Sequence, residues 1–323
     1  MAELDSYSVL CIWTAIAIYA AAFVTYAFDL ARRSEVTADA RLERELVAAG
    51  GGSAVVAGAA ASDDAPRKPR YVMARIGTAL TVLGFLFHVA ATVMRGIAAE
   101  RVPWANLYEF AMTGTALIVL VYLVVLTRVD LRYLGTFILG LVVVLLGLAS
   151  TNFYVEIVPL MDPLKSVWLV IHVFVASLAT AFLALACSLS ILQLLQSRRE
   201  RRVAEQAAKP GARFLSTLPA SDRLEGLAYR FAIVGFIFWT FTLIAGAIWA
   251  QDAWGRYWGF DVKETWTFII WVIYAGYIHA RATRGWRGNP SAWLSIVGFS
   301  AVIFNFTIVN VFFKGLHAYS GLS

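Results

Sequence analysis

The side chains in this sequence best equipped for chemistry are four histidines and one crowded aromatic segment. His172 stands one turn past Trp168 near the head of an apolar run, and His317 stands in FFKGLHAYSG, just beyond the last apolar run. Between them lies WAQDAWGRYWGFDVKETW, residues 249–266, which carries six aromatic rings in eighteen positions: Trp249, Trp254, Tyr257, Trp258, Phe260 and Trp266. Neutral imidazole is a common metal ligand, and ring faces stack on flat conjugated surfaces. Two imidazoles beside a ring-lined shelf describe a place to hold a planar ligand with a metal at its centre.

The other two histidines sit deeper in apolar sequence, where an ionisable side chain is costly and defaults to a functional reading. His279 follows Trp266 by thirteen residues, about 20 Å along a helix. His88 lies in FLFHVAATVMRG, two turns before Arg95. For His88 two readings stand side by side, a hydrogen-bonded packing residue and a ligand. An outer planar metal site plus a deeper imidazole suits the receipt of haem from within a membrane, with bis-imidazole ligation shielding the iron. Surface tryptophans more often form an aromatic belt than a binding site, but belts scatter over many loops. Here Trp254, Tyr257, Trp258 and Asp261 fall at i, i+3, i+4 and i+7, so a helical turn would gather them on one face. Asp252, Asp261, Lys263 and Glu264 read either as ordinary interfacial charge or as groups that orient the loop and the ligand's propionates.

These residues need elements to hold them, and the composition says which. With 60% hydrophobic and 15% charged residues and a mean hydropathy of +0.71, the chain is too apolar for a soluble globule. Eight runs are long enough to cross a bilayer as helices: 7–30, 72–94, 107–126, 133–150, 167–195, 226–249, 265–281 and 292–314. The expected fold is an all-α polytopic transmembrane bundle. Its parts are an N-terminal helix (1–30), a cytoplasmic linker (31–70) and a multi-span membrane domain (71–323) with its loop at 249–266. The first half of the linker could make a short surface helix, and the Ala/Gly-rich second half reads as flexible.

Lys and Arg are retained on the cytoplasmic side. With the N-terminus outside, the inner segments hold 21 of the 27 basic residues, leaving Arg95, Arg101, Lys165, Arg256, Lys263 and Lys314 outside. Both termini and the aromatic loop are then extracytoplasmic. The formal charge of +6 is explained by this anchoring and calls for no nucleic acid. Cys11 and Cys187 lie far apart inside apolar runs without a Cys-x-x-Cys, which excludes a thiol oxidoreductase and a c-type cytochrome.

The segment Trp249–Arg281 resembles the WWD signature of haem-handling proteins and is most similar to the CcsA/ResC branch of System II cytochrome c biogenesis. PWANLYEF at 103–110 is similar to that family's Asn-Leu-Tyr-Glu motif, and WLVIHVF at 168–174 and GLHAYSG at 315–321 resemble its two external histidine segments. The resemblance runs from Tyr71 onward. It implies that His172 and His317 are axial ligands of an external haem b, that the loop cradles its edge, and that His279 is the intramembrane histidine, completed by a ResB/CcsB-like partner. It further implies a bacterial plasma membrane location, an apocytochrome c substrate joined to haem through Cys-x-x-Cys-His thioethers, an extracytoplasmic thiol reductant, and contact with membrane lipid. Phe260 replaces the signature's last Trp, losing an indole donor, and Val262 replaces the Pro after Asp261. Two competing readings are a b-haem electron-transfer subunit and a haem exporter without ligation activity.

Overall fold

A computed structural model describes residues 2–49, 72–160, 164–205, 213–283, 286–313 and 315–316. The order is α1 (Ala2–Ala49), α2 (Val72–Ala99), α3 (Leu107–Leu126), α4 (Gly135–Asn152), α5 (Val167–Ala204), α6 (Ser221–Trp254), α7 (Val262–Ala282), α8 (Asn289–Phe306) and α9 (Ile308–Phe312). No strand occurs among the described residues, as the all-α expectation requires. Lipid offers the backbone no hydrogen bonds, so each run must satisfy its own amides as a helix.

Six of the eight expected spans fall within single helices, whereas 133–150 opens in a 3-10 turn (Arg132–Leu134) before α4, and 292–314 is broken at Thr307 between α8 and α9. Among the described residues, seven helices are long and apolar enough to cross a membrane. The eighth, α7, has 21 residues, but Lys263, Glu264, His279 and Arg281 together with its Trp and Tyr residues reduce its apolarity. The largest departure is at the end of α1. The charged stretch after Arg32 does not form a separate surface helix but continues α1, 48 residues in all, or about 72 Å at 1.5 Å per residue. The Ala/Gly-rich half of the linker lies outside the described residues.

Successive spans alternate in direction, which the contacts at each end establish. At one end Asp5 of α1, Arg95 of α2 and Glu109 of α3 meet, and Ser166 before α5 bonds Asp252 at the end of α6. At the other end Asp29 of α1 accepts from Ala74 of α2, Glu200 of α5 accepts from Ser221 of α6, and Arg281 of α7 pairs with Glu225 of α6 at 2.6 Å. α5 is the central helix and packs against α3, α6 and α8. Where helices approach closely, glycine makes room: a Cβ on Gly235 of α6 would stand 2.6 Å from the Leu183 side chain of α5.

Candidate functional site

Ser166 accepts from the Trp168 amide as the N-cap of α5 and donates to Asp252 at the end of α6, so the outer turn of α5 is fixed on α6. One turn further, the half-buried His172 ring reaches across to α6, with Nδ1 3.0 Å from the Thr242 carbonyl oxygen. A carbonyl only accepts, so in the neutral ring Nδ1 carries the proton and Nε2 does not, the tautomer a metal ligand needs. The ring lies directly over Gly246: an added Cβ would be 2.8 Å from Cε1 and 2.9 Å from Nδ1. Trp249, 2% exposed, stacks on the imidazole with centroids 5.8 Å apart, and Trp254 packs on Trp249 at 4.9 Å.

The aromatic segment is not one helical face, which corrects the expectation from its spacing. α6 stops at Trp254 because Gly255 takes a left-handed conformation (φ 70°) as its C-cap, and the chain then runs without helix to Asp261. Trp254 therefore belongs to the cluster around Trp249, whereas Tyr257 and Trp258 line a cavity together with His172. Phe260, at φ 55°, is 82% exposed and touches Trp258 edge-on. Trp266 points away from the cavities and packs on Phe304 of α8.

Asp261 joins the loop to two other segments. It N-caps α7 in a capping box with Glu264, whose carboxylate also accepts from the Gly259 and Asp261 amides at 2.8 and 3.1 Å. Val262 is thus the first helical residue, a position that prefers Pro without requiring it. The same Asp261 carboxylate accepts from the Leu316 amide at 3.1 Å, and a Cβ on Gly315 would overlap it. One aspartate therefore fastens the loop, the start of α7 and the backbone just before His317. His317 itself lies outside the described residues.

Two adjoining cavities share His172, Thr242, Trp249, Lys263 and Thr267 in their walls. The outer, about 60 Å³, is rimmed by Tyr257 and Trp258. The inner, about 110 Å³, extends to Asn106 of α3 and Asn305 of α8. Lys263 Nζ donates to Asn310 Oδ1 at 2.6 Å and lies 5.6 Å from the Phe306 ring centroid. Asn305, 4% exposed, donates to Thr267, while its buried Oδ1 has no partner. These volumes fall below the several hundred Å³ of an enclosed small-molecule pocket. The donors fit haem, with an imidazole in the ligating tautomer, indole faces and a cation for a propionate. The space would admit one edge of it, and the remainder would rest on the exposed loop.

The other imidazoles lie elsewhere. His279 is exposed in the last turn of α7, at the opposite end of the bundle from His172. His88 is fully buried, and both nitrogens are engaged: Nε2 donates to the Met112 carbonyl at 2.8 Å, and Nδ1 is 3.3 Å from the Tyr19 hydroxyl. That geometry is the packing reading. No group of three or more His, Cys, Asp or Glu suited to a bare metal ion occurs among the described residues. Sequence reasoning passed over Thr242, Gly246, Asn305 and Asn310. Only Gly246 left a signal, its i, i+3 spacing to Trp249 on α6.

Comparison with known proteins adds a family. Residues 104–317 match the model described as cytochrome C assembly protein, a span that runs from Trp104 to His317. The cytochrome c biogenesis protein CcsA of Heterosigma akashiwo is 35% identical over 249 residues, covering 68% of this chain and 77% of that relative. The CcsA protein of Guillardia theta is 32% identical over 262 residues, covering 77% and 86%. That of Gloeobacter violaceus is 29% identical over 298 residues, covering 78% and 88%. Among solved structures, cytochrome c heme lyase CcmF shares the fold at a TM-score of 0.62 with 15% identity. The match covers 94% of this chain, which spans just under half of that one, 46%.

Proposed function

Because the chain belongs to the cytochrome c assembly protein family and its CcsA/ResC branch, we propose that it grips haem b between His172 and His317 and presents it for attachment to apocytochrome c. The general role, cytochrome c biogenesis in a multi-pass membrane protein, follows from the family and the spans. One observation carries the finer reading. His172, locked over Gly246 with Nδ1 on Thr242, opens onto a cavity rimmed by Tyr257 and Trp258, while Asp261 of the same loop holds the backbone that leads into His317.

In this reading the chain supplies ligation and position. His172 and His317 bind the iron axially, Tyr257, Trp258 and Phe260 support the ring edge, and Lys263 neutralises a propionate. Each thioether forms when a cysteine thiol adds across a vinyl group. One S–C and one C–H bond replace the S–H bond and the vinyl π bond, so no acid, base or oxidant is drawn from this chain. Holding vinyl and sulfur at reacting distance removes much of the entropic barrier. The distribution of Lys and Arg supports an extracytoplasmic site. A bacterial plasma membrane, a ResB/CcsB-like partner and an extracytoplasmic thiol reductant complete the reading. His279 stands exposed on α7, where a partner chain can reach it, which supports completion of its ligation by the partner. A b-haem electron-transfer subunit would want paired histidines at matched depth, and His88 is already occupied by Met112 and Tyr19.

The test expresses the chain with and without a ResB-like partner and measures co-purified haem and covalent haem on a Cys-x-x-Cys-His reporter. His172→Ala and His317→Ala each abolish attachment and change the haem spectrum. Unchanged haem content and attachment in both variants would falsify the ligand assignment. Accumulation of reporter when haem is supplied outside, independent of this protein, would favour export over ligation.

A further inference from the structure

Arg95 is a full charge at 0% exposure near the end of α2, in a fold where buried charge is expensive. Its guanidinium donates Nε to Glu109 Oε1 at 3.1 Å, Nη1 to Asp5 Oδ1 at 2.6 Å and Nη2 to the Val155 carbonyl at 2.7 Å. The rings of Tyr108 and Tyr154 flank it, each centroid 5.5 Å from Cζ. Glu109, also fully buried, accepts in addition from Arg101 Nη1 and Nη2 at 2.6 and 3.1 Å and from the Ala105 amide at 2.9 Å. Two cations thus face two carboxylates, and the cluster is neutral by construction. Charge-paired in this way, a buried network is rigid, and removal of one member leaves the others uncompensated in a low-dielectric interior.

None of the four charged residues lines either cavity. What they hold does. The Glu109 carboxylate fixes the Ala105 amide, the Glu109 amide donates to Asn106 Oδ1 at 2.9 Å, and Trp104 Nε1 donates to Thr113 Oγ1 at 2.7 Å. The immobilised turn Trp104–Leu107 is the α3 wall of the inner cavity whose opposing wall carries His172. The same cluster ties that wall to α1 through Asp5, a residue 90 positions from Arg95.

We infer that Glu109, braced by Arg95 and Arg101, is a positioning residue for the His172 site: it sets the distance between the Trp104–Leu107 wall and the imidazole and so the environment of bound haem. The inference rests on the proposed haem function. Outer groups that orient a metal site change affinity or activity by about 10- to 100-fold when removed, and that range is expected here for haem release.

The experiment purifies the full chain with its membrane partner as wild type, Glu109→Gln, Thr113→Val and His172→Ala. It records the haem absorption spectrum, the rate of haem loss to a scavenger apoprotein, and amide hydrogen exchange over residues 104–107. Glu109→Gln and the uncharged, milder Thr113→Val are expected to raise exchange at 104–107, shift the haem bands and speed haem loss. Should Glu109→Gln fail to fold, Glu109→Asp, which keeps the charge but draws the carboxylate back from the Ala105 amide, is read in its place by the same measurements. Wild-type bands and release rates in a folded variant, with haem still lost in His172→Ala, overturn the positioning role and leave the function standing. Haem absent from the wild type, or retained in His172→Ala, overturns the function and the positioning role with it.

Discussion

Gly246→Ala isolates the seat of His172 from every other feature of the site. The new methyl would stand 2.8 Å from His172 Cε1, whereas ordinary contact begins at 3.4 Å, so the ring must retreat by 3.4 − 2.8, about 0.6 Å. Trp249 stacks against the imidazole, and Nδ1 is tied to Thr242 at 3.0 Å. A retreat of that size along the bond brings it to about 3.6 Å, beyond hydrogen-bonding range. The alternative is an off-rotamer side chain. Losing the bond costs about 0.5–1.5 kcal/mol and a strained rotamer about as much. Either route therefore costs about 0.5–1.5 kcal/mol, or about 2- to 13-fold in haem retention.

Gly226→Ala, on the same helix with nothing within 4 Å of an added Cβ, is the control. Alanine is the better helix former, so this control should fold as well as wild type or better. The assay compares haem per protein, haem loss to a scavenger and covalent reporter in the two variants. Equal haem spectra and release rates for Gly246→Ala and Gly226→Ala would show that His172 is not seated for ligation by α6.

Three further outcomes are expected. Gly315→Ala, whose new methyl would overlap the Asp261 carboxylate, should lower haem attachment while the thermal unfolding midpoint stays put. Asp261→Ala should lower both, since it also removes a helix cap worth about 0.5–2 kcal/mol. His88→Phe strips the buried Tyr19 hydroxyl of its His88 partner, while the Met112 carbonyl keeps Thr115 Oγ1, and should cost about 1–3 kcal/mol of stability, read as a lower melting point with unchanged haem per folded protein. Val262→Pro should raise the melting point through about 0.4–1 kcal/mol. Asp261 already holds ψ 150°, the conformation a residue before proline needs, and Val262 is the first residue of α7.

The membrane-spanning fold was readable in the residues because it depends on local quantities. A run of apolar side chains long enough for the bilayer has to close its own hydrogen bonds, and nothing distant in sequence changes that. The same holds for the aromatic density at 249–266 and for the motif around His172. Even within reach of local rules, one detail escaped: the even spacing of Trp254, Tyr257, Trp258 and Asp261 reads as helix, but the glycine at 255 has the left-handed freedom to end it.

Which histidine does what was decided by tertiary contact. His88 and His172 look alike in sequence, each an imidazole in an apolar run. Rotation and register of the helices hand both nitrogens of His88 to neighbours on α1 and α3, whereas for His172 they bring a carbonyl to Nδ1 and a bare glycine beneath the ring. The Asp5–Arg95–Glu109 cluster likewise joins groups up to 104 residues apart (109 − 5). Hydrophobic periodicity records only that a residue faces inward. What it meets there depends on how neighbouring helices are turned and shifted against it, and that is settled by close packing across the whole bundle.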